Sequence, residues 1–536
     1  MKIKTIILLV LVLIFAGGAA YANHDLDELK DHMNYSLETV SGDPTLLDGT
    51  ELSLTGGINY QMKWTSSLKI HEGKISEEKT DFSIDSNFGG IEYETMDPRR
   101  TSINIRNSAS EEMNDFMENG TYYYDWVKEL GVEMLTSDKS SFVFKLKDYM
   151  EYYPLSGSIQ IGAGSQDLVK WDNKKIQGWS MKYPSRSTKQ EFKENMKGFM
   201  DFFKIPVLED EKYEFEITSG DITEKEVNIS EGPSDFFELD FSSVFQDDKV
   251  YLYFDDRTEN GNIVDTSKIP GGYGIYAFDY KITGDSESKY KMDMSTLKNV
   301  MPLDPETKIL KIEASLDGMH IKVFTAEKDR VILRVMDTDS LVVTDEKILW
   351  DDLDTDSFKR EMYSEYHDHW KLIFSDKDLG MEEKGLSLVN LPENEGVILV
   401  KDEGDRADIL FKGSFDPGHK PYEEGTRLGP DTETKFSWDG DRLVIAAIRG
   451  IIKKDDPISE LNTVIVYALD KEGNCFVGEI KGDLTRVLGW YEEPEDYYEY
   501  WDDFQDFEEE DINDMILDYW YLGGRVTMTI DDVQSE

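Results

Sequence analysis

Between residues 435 and 480 the chain alternates short apolar runs with polar turns: KFSW, the turn Ser437-Trp438-Asp439-Gly440, LVIAAI, a polar stretch, TVIVYALD, a second turn at Asp470 to Asn474, and CFVGEI. Runs of this length, rich in β-branched residues and bounded by Asp, Gly and Asn, predict four strands joined as one antiparallel sheet. Asp serves the turn by accepting backbone N–H groups, Gly by adopting positive φ. The same order recurs over 311–349, KIEASLDGMHIKVFTAEKDRVILRVMDTDSLVVTDEKIL, where Ser315-Leu316-Asp317-Gly318 replaces Ser437 to Gly440 and Asp337 replaces Asp470. Weaker copies lie at 243–284 and at 364–400, the latter SEYHDHWKLIFSD followed by KGLSLVNLPENEGVILV. Four units thus fill 238–487, with second strands anchored at Val250, Ile321, Trp370 and Leu443.

FSWDGDRLVIAAI and ASLDGMHIKVF resemble the S-P-D-G-K-x-[ILV]-A-F segment of the WD40-like repeats of TolB-type β-propellers, with Trp438 and Leu316 standing where that motif has proline. The resemblance covers about half of the chain and implies a mainly β, β-propeller-like body of about six or seven antiparallel blades with helical insertions. Physics points the same way, because a four-stranded twisted sheet cannot bury both faces alone, whereas sheets packed around an axis can. An irregular β-sandwich or a row of stacked β-domains is the alternative.

The first half repeats the pattern less clearly. Residues 49–74 alternate like paired strands, and 140–164 read as a further hairpin. Between them, 108–132 is helix-prone, with a turn at Asn119-Gly120. In 188–204, Phe192, Met196, Phe199, Met200 and Phe203 share one helical face, Thr188 and Glu191 form a capping box, and Pro206 ends the run; the stripe reads as core packing. The tail 494–522 predicts a helix with one aromatic and one anionic face, stopped by Gly523-Gly524. After it Arg525 to Ile530 reads as a strand, expected to return to the first sheet and close the ring.

The N-terminus changes the expected compartment. Lys2 and Lys4 precede an apolar run from Thr5 to Ala16 and the small-x-small triplet Ala20-Tyr21-Ala22, the pattern of a signal peptide over 1–22. Left uncleaved, the segment becomes a membrane anchor and the chain's only link to a membrane. Cys475, the one cysteine, cannot form an intrachain disulfide, and with no cationic neighbours it reads as a structural thiol.

Charge narrows the partners. With 111 Asp and Glu against 58 Lys and Arg, the net charge of −53 repels phosphate backbones, so nucleic acid and anionic lipid are excluded as expected partners. An envelope or extracellular protein or polymer is the expected partner class, with calcium a weaker candidate as cofactor. His367 and His369 flank Asp368 as an H-x-H pair, without a third zinc ligand at a recognisable spacing. Asp352, Asp354 and Asp356 begin like a calcium loop, but Ser357 replaces its glycine and Tyr363 its bidentate glutamate. Gly162-Ala163-Gly164 lacks the rest of a nucleotide fingerprint, and no G-x-S-x-G, Walker lysine or H-E-x-x-H is present. No catalytic or cofactor-binding residue is assigned. Asp317 and Asp439 are expected to hold hairpins rather than to react. The expectation is an exported, non-enzymatic binding protein of the cell envelope or exterior; a secreted hydrolase acting on polysaccharide or peptide is the alternative.

Overall fold

The computed structural model describes residues 34–58, 62–83, 101–107, 113, 125–136, 141–149, 151–152, 155–161, 169–172, 176–177, 202–204, 206–207, 212–219, 225–229, 238–246, 248–254, 269, 271–282, 290–351, 373–391, 395–421, 426, 428, 434–449, 463–482 and 526–535. The signal segment 1–22 and the acidic aromatic stretch 494–522 lie outside them. The chain divides into two units: 1–92, 369–401 and 408–536 form the first, 93–368 and 402–407 the second.

At the centre of the first unit is the sheet predicted from 435–480. β24 (Thr434–Trp438), β25 (Arg442–Ile448), β26 (Thr463–Asp470) and β27 (Cys475–Gly482) run antiparallel in sequence order, and β1 (Tyr35–Ser41) adds to the outer edge of β27. Its apolar runs are continuous because both faces are covered. Val444, Ala446, Val464, Val466 and Ala468 face one core, together with Leu52, Leu54, Trp64 and Ile530. The alternate residues Leu443, Ile445, Ala447, Ile465 and Tyr467 face another, with Leu388, Val397, Leu399 and Phe411.

The first of these cores is shared with a four-stranded sheet ordered β28 (Val526–Ser535), β2 (Thr50–Ile58), β3 (Met62–His71) and β4 (Lys74–Ser83). The paired strands expected over 49–74 are β2 and β3. Gly56 is needed here for close approach: a Cβ at that position would overlap the indole of the fully buried Trp64. The C-terminal strand pairs antiparallel with β2 from Thr50↔Ser535 to Ile58↔Val526. The expected return to the first sheet is thus present, and it runs on to Ser535, beyond the predicted end at Ile530. The termini exchange reciprocally: the N-terminal strand β1 joins the last sheet, and the C-terminal strand β28 joins the first.

The second core is shared with the sheet β20 (Ile373–Ser375), β21 (Leu386–Asn390), β22 (Gly396–Asp402) and β23 (Ala407–Ser414), whose last hairpin tip, 402–407, belongs to the second unit. The repeat expected at 364–400 is displaced by one strand. The segment anchored at Trp370 as a second strand supplies the first described strand of this sheet, and the fourth lies at 407–414. The turn after β20 is held by buried Asp376, which accepts N–H groups from Lys377, Lys384 and Leu386, so an Asp-centred turn follows the segment expected to be the second strand.

In the second unit, 311–349 forms the sheet β16 (Lys308–Ala314), β17 (His320–Glu327), β18 (Arg330–Asp337) and β19 (Val343–Trp350), as expected. The copy at 243–284 does form a four-strand meander, β12 (Glu238–Gln246), β13 (Lys249–Phe254), β14 (Gly274–Ile282) and β15 (Tyr290–Pro302), but it is not a separate sheet. The free edge of β12 pairs with β5 (Thr101–Asn107), and β7 (Leu155–Ile161), β8 (Val169–Asp172) and β9 (Ile176–Gln177) extend this to eight strands. The hairpin expected over 140–164 is likewise corrected. β6 (Ser141–Lys145) pairs with β10 (Lys212–Ser219), itself paired with β11 (Lys225–Ile229), while β7 pairs with β5 and β8. The intervening segment cannot act as a tight hairpin loop, because it contains a 3₁₀ turn at Leu146–Asp148 and a bridge from Tyr152 to Pro206.

Helix α1 (Asp125–Thr136) overlaps only the last part of the helix-prone 108–132 and ends later, with Val127, Leu130 and Met134 buried on one face. Of the stripe expected over 188–204, the described Phe203 is fully buried against Phe241, Phe254 and Tyr276, at centroid distances of 5.1, 6.1 and 4.9 Å. That end of the stripe is core packing. Among the described residues no helix is long and apolar enough to cross a membrane.

Candidate functional site

Both S-x-D-G segments form turns in which the aspartate accepts backbone N–H groups. Asp439 Oδ1 accepts from Asp441 and Arg442 at 2.9 and 2.8 Å, and Asp317 Oδ1 from Met319 and His320 at 2.8 and 3.2 Å. Gly318 takes φ +72°, the left-handed conformation for which the turn needs glycine. Asp337 and Asp470 are equivalent here too: Asp337 accepts from Asp339 and Ser340, and Asp470 from Asn474. The turn bonds expected of Asp317 and Asp439 are therefore present.

Asp439 has a second duty. Its Oδ2 receives Arg442 Nε at 3.0 Å, and the Arg442 Nη1 then donates to the carbonyls of Leu46 and Asp48 at 2.7 and 2.8 Å. Replacement of Asp439 by alanine removes the turn bonds and releases the guanidinium that ties this turn to the N-terminal segment. We expect a loss of about 1.5–3 kcal/mol, read as a lower urea midpoint.

The turn of 311–349 is richer, and its surroundings form the candidate site. Ser315 Oγ donates to both carboxylate oxygens of Asp402 at 2.8 Å, and the N–H groups of Leu316 and Gly404 complete that carboxylate's partners at 3.0 and 2.8 Å. Buried Lys322 lies 2.9 Å from Glu313 and 3.8 Å from Asp402, and Lys311 meets Glu313 at 2.8 Å. At the start of the same strand β17, His320 Nδ1 is 2.6 Å from Asp317 Oδ2, and its Nε2 is 3.8 Å from Asp337 Oδ2. Because Nε2 faces a second carboxylate rather than a hydroxyl or thiol, this is the geometry of a clamp, not of a base activating a nucleophile. Thr338 donates from both N and Oγ1 to the carbonyl of Met319, linking the two neighbouring hairpin tips, and Tyr251 of β13 donates to the carbonyl of Thr338 at 3.3 Å.

Above this rigid base the surface is apolar. Leu316, Met319, Val342 and Val343 are 53, 57, 57 and 40% exposed, and all lie on the β16–β17 and β18–β19 tips at the same end of the sheet. They are half of the large exposed hydrophobics among the described residues, a concentration that a scatter of single exposed residues does not produce.

Electrostatics ties the turns to pH. Asp317 is held below its ordinary 3.8 although burial pushes it up, because the Met319 N–H and His320 prevail; Asp337 is lowered by the N–H and hydroxyl of Ser340. Asp470 is lowered by Asn474 against the opposing effect of burial. A carboxyl depressed in the folded state stabilises fully above its unfolded value, and that contribution is lost as pH falls through the folded one. The melting temperature is therefore expected to hold down to about pH 5 and to fall below about pH 4. A thermal series from pH 7 to pH 3 checks this.

His367 and His369, Asp352, Asp354 and Asp356, and Gly162 to Gly164 lie outside the described residues. Among the described residues no three His, Cys, Asp or Glu side chains form a metal-binding group. Cys475 starts β27 half-buried, and burial pushes its thiol up, in keeping with a structural residue. Sequence reasoning missed Asp402, Lys322 and His320. Lys322 left a signal, a lysine inside the otherwise apolar run HIKVFTA; Asp402 left none, since it meets Ser315 across 87 residues.

No family model matches the chain, and no curated protein matches it. Among solved structures it is similar to a protein from Lactobacillus plantarum at 8% identity, covering 81% of this chain and 99% of that one with a TM-score of 0.24. It is similar to the oligogalacturonate lyase of Vibrio parahaemolyticus at 9% identity, covering 84% and 97%, TM-score 0.21. TolB from Acinetobacter baumannii matches at 10% identity, covering 67% and 82%, TM-score 0.15. At these TM-scores the likenesses assign neither fold nor activity.

Proposed function

We propose that this chain is an exported, non-enzymatic binding protein of the cell envelope or exterior, carried on a β-propeller-like scaffold whose ring is closed by exchange of the two terminal strands. The observation that carries the binding role is the row of exposed apolar side chains, Leu316, Met319, Val342 and Val343, held over a hydrogen-bonded base on two adjoining hairpin tips. Exposed apolar groups on a rigid frame favour recognition, since their loss of water on contact is favourable and little entropy is spent in ordering them. The ring is supported by the stacking of sheets on both faces of β24–β27 and by the pairings β1–β27 and β28–β2. Export is supported by the leader pattern of 1–22 and suits a chain without disulfides if its core alone holds it.

The test sets binding against turnover. Incubated with a panel of glycans and peptides the purified chain is expected to release no product, while the immobilised chain retains a protein or polymer from envelope extract. Turnover of any panel member would establish the secreted hydrolase in its place.

A further inference from the structure

We infer that the apolar row on the β16–β19 sheet receives a cationic amphipathic segment of a protein partner, one in which lysine or arginine alternates with large apolar residues. This rests on the binding role proposed above and gives it a chemistry. The argument begins with the rim. Neither 312–321 nor 335–346 contains a lysine or arginine, whereas the two tips carry Asp317, Asp337 and the exposed Asp339 around the four apolar side chains. The adjoining tip 402–407 belongs to the same unit, and Thr344 Oγ1 donates to its Asp405 carbonyl at 2.8 Å; it adds Glu403 and Asp405 against a single Arg406. The surface thus combines a greasy centre with an anionic border.

That combination selects among occupants. A neutral apolar partner would cover the bordering carboxylates without compensating them, which opposes binding. An anionic lipid surface meets like charge, and a second copy of this chain brings another −53 to the contact. A segment with both apolar and cationic side chains gains from the centre and from the border together. Its apolar residues displace water from Leu316, Met319, Val342 and Val343 while its charges meet Asp339 and its neighbours.

Because so acidic a chain attracts any polycation, the deciding test changes apolarity and leaves charge alone. Fluorescence anisotropy of the full chain is measured with two labelled peptides, one alternating lysine with leucine and one alternating lysine with serine. The lysine–leucine peptide is expected to bind at least about tenfold tighter, from burial of two or more apolar side chains. The double variant Met319→Ser, Val342→Ser should lose that advantage and keep its affinity for the lysine–serine peptide. Both positions are exposed, so the melting transition stays in place; should it shift, Leu316→Ser with Val343→Ser reads the same surface. Equal binding of the two peptides by the unaltered chain, an advantage that survives both double variants, or tighter binding to phosphatidylcholine vesicles would overturn the inference. In those cases retention of an envelope partner equally by variant and parent would leave the binding role standing on another surface, whereas cleavage of either peptide would remove the binding role itself.

Discussion

A chain ending at Arg525 is expected to lose the cooperative unfolding transition of the first unit. The missing strand, β28, is the pairing partner of β2 along its whole length, and without it β2 becomes an open edge. Ile530 and Val533, both almost fully buried, leave the core that holds Leu52, Leu54, Trp64 and Val466. Each is worth about 1.5–3 kcal/mol of burial, and the ladder bonds and the contact between Ser535 and Ser437 go with them. A loss of this size is comparable with the roughly 5–15 kcal/mol that holds an ordinary domain. Trp64 lies in the same core, so tryptophan fluorescence followed through a urea titration reports the event alongside circular dichroism. A synthetic peptide of residues 526–535 should restore part of the transition in trans, because the vacated edge has a fixed register. Identical melts for the truncated and complete chains would remove strand exchange as the source of stability.

Apart from the returning C-terminal strand, which was expected from the need to cover a free sheet edge, the elements that were legible share one property: their partners are close in sequence. LVIAAI and TVIVYAL are continuous apolar runs because β25 and β26 have a core on each face, and Asp439-Gly440 and Asp470 to Asn474 mark their turns. The 311–349 sheet was legible on the same grounds. Where pairing is distant, local pattern misleads. Phe142, Val143 and Phe144 alternate with nothing in 155–161; their partners are Phe215, Glu214 and Tyr213, about 70 residues on. Nothing in TSINIRN names Glu238 to Phe241 as its neighbour, so the eight-stranded sheet could not be read from its parts. The candidate site divides in the same way. Asp317 was visible as a turn residue because its donors are two and three positions away, but Asp402 acts across 86 residues on Leu316, and the apolar tips gain meaning only when the β16–β17 and β18–β19 turns are seen at one end.

Replacement of Lys322 by alanine is expected to cost about 3–5 kcal/mol, although no apolar packing of comparable worth is removed. The ammonium is the buried counter-charge of two carboxylates, at 2.9 Å from Glu313 and 3.8 Å from Asp402, whose side chains are 8 and 1% exposed. Asp402 retains Ser315 Oγ and the N–H groups of Leu316 and Gly404, so the burden falls on Glu313, which loses one of its two neighbouring ammonium groups and keeps Lys311. At present burial pushes the Glu313 carboxyl up, yet Lys311 and Lys322 outweigh it and hold the group well below the ordinary carboxylate range. Without Lys322 burial gains ground and the carboxyl rises. A carboxyl raised above its unfolded value destabilises while ionised and ceases to do so once protonated, so the gap between variant and parent should narrow as pH is lowered from 7 toward 5. A simple loss of side-chain contact would give a gap independent of pH. Pairing Lys322→Met with Glu313→Gln removes both charges and should recover most of the loss at pH 7, since the penalty comes from the unpaired ion rather than from the missing bridge. If the double variant is as unstable as Lys322→Ala at every pH, the buried ion pair is not what fixes this end of the sheet, and the base beneath Leu316 and Met319 is held by the turn bonds of Asp317 and Asp337, the Asp402 bonds to Ser315 and Leu316 and the Thr338–Met319 link.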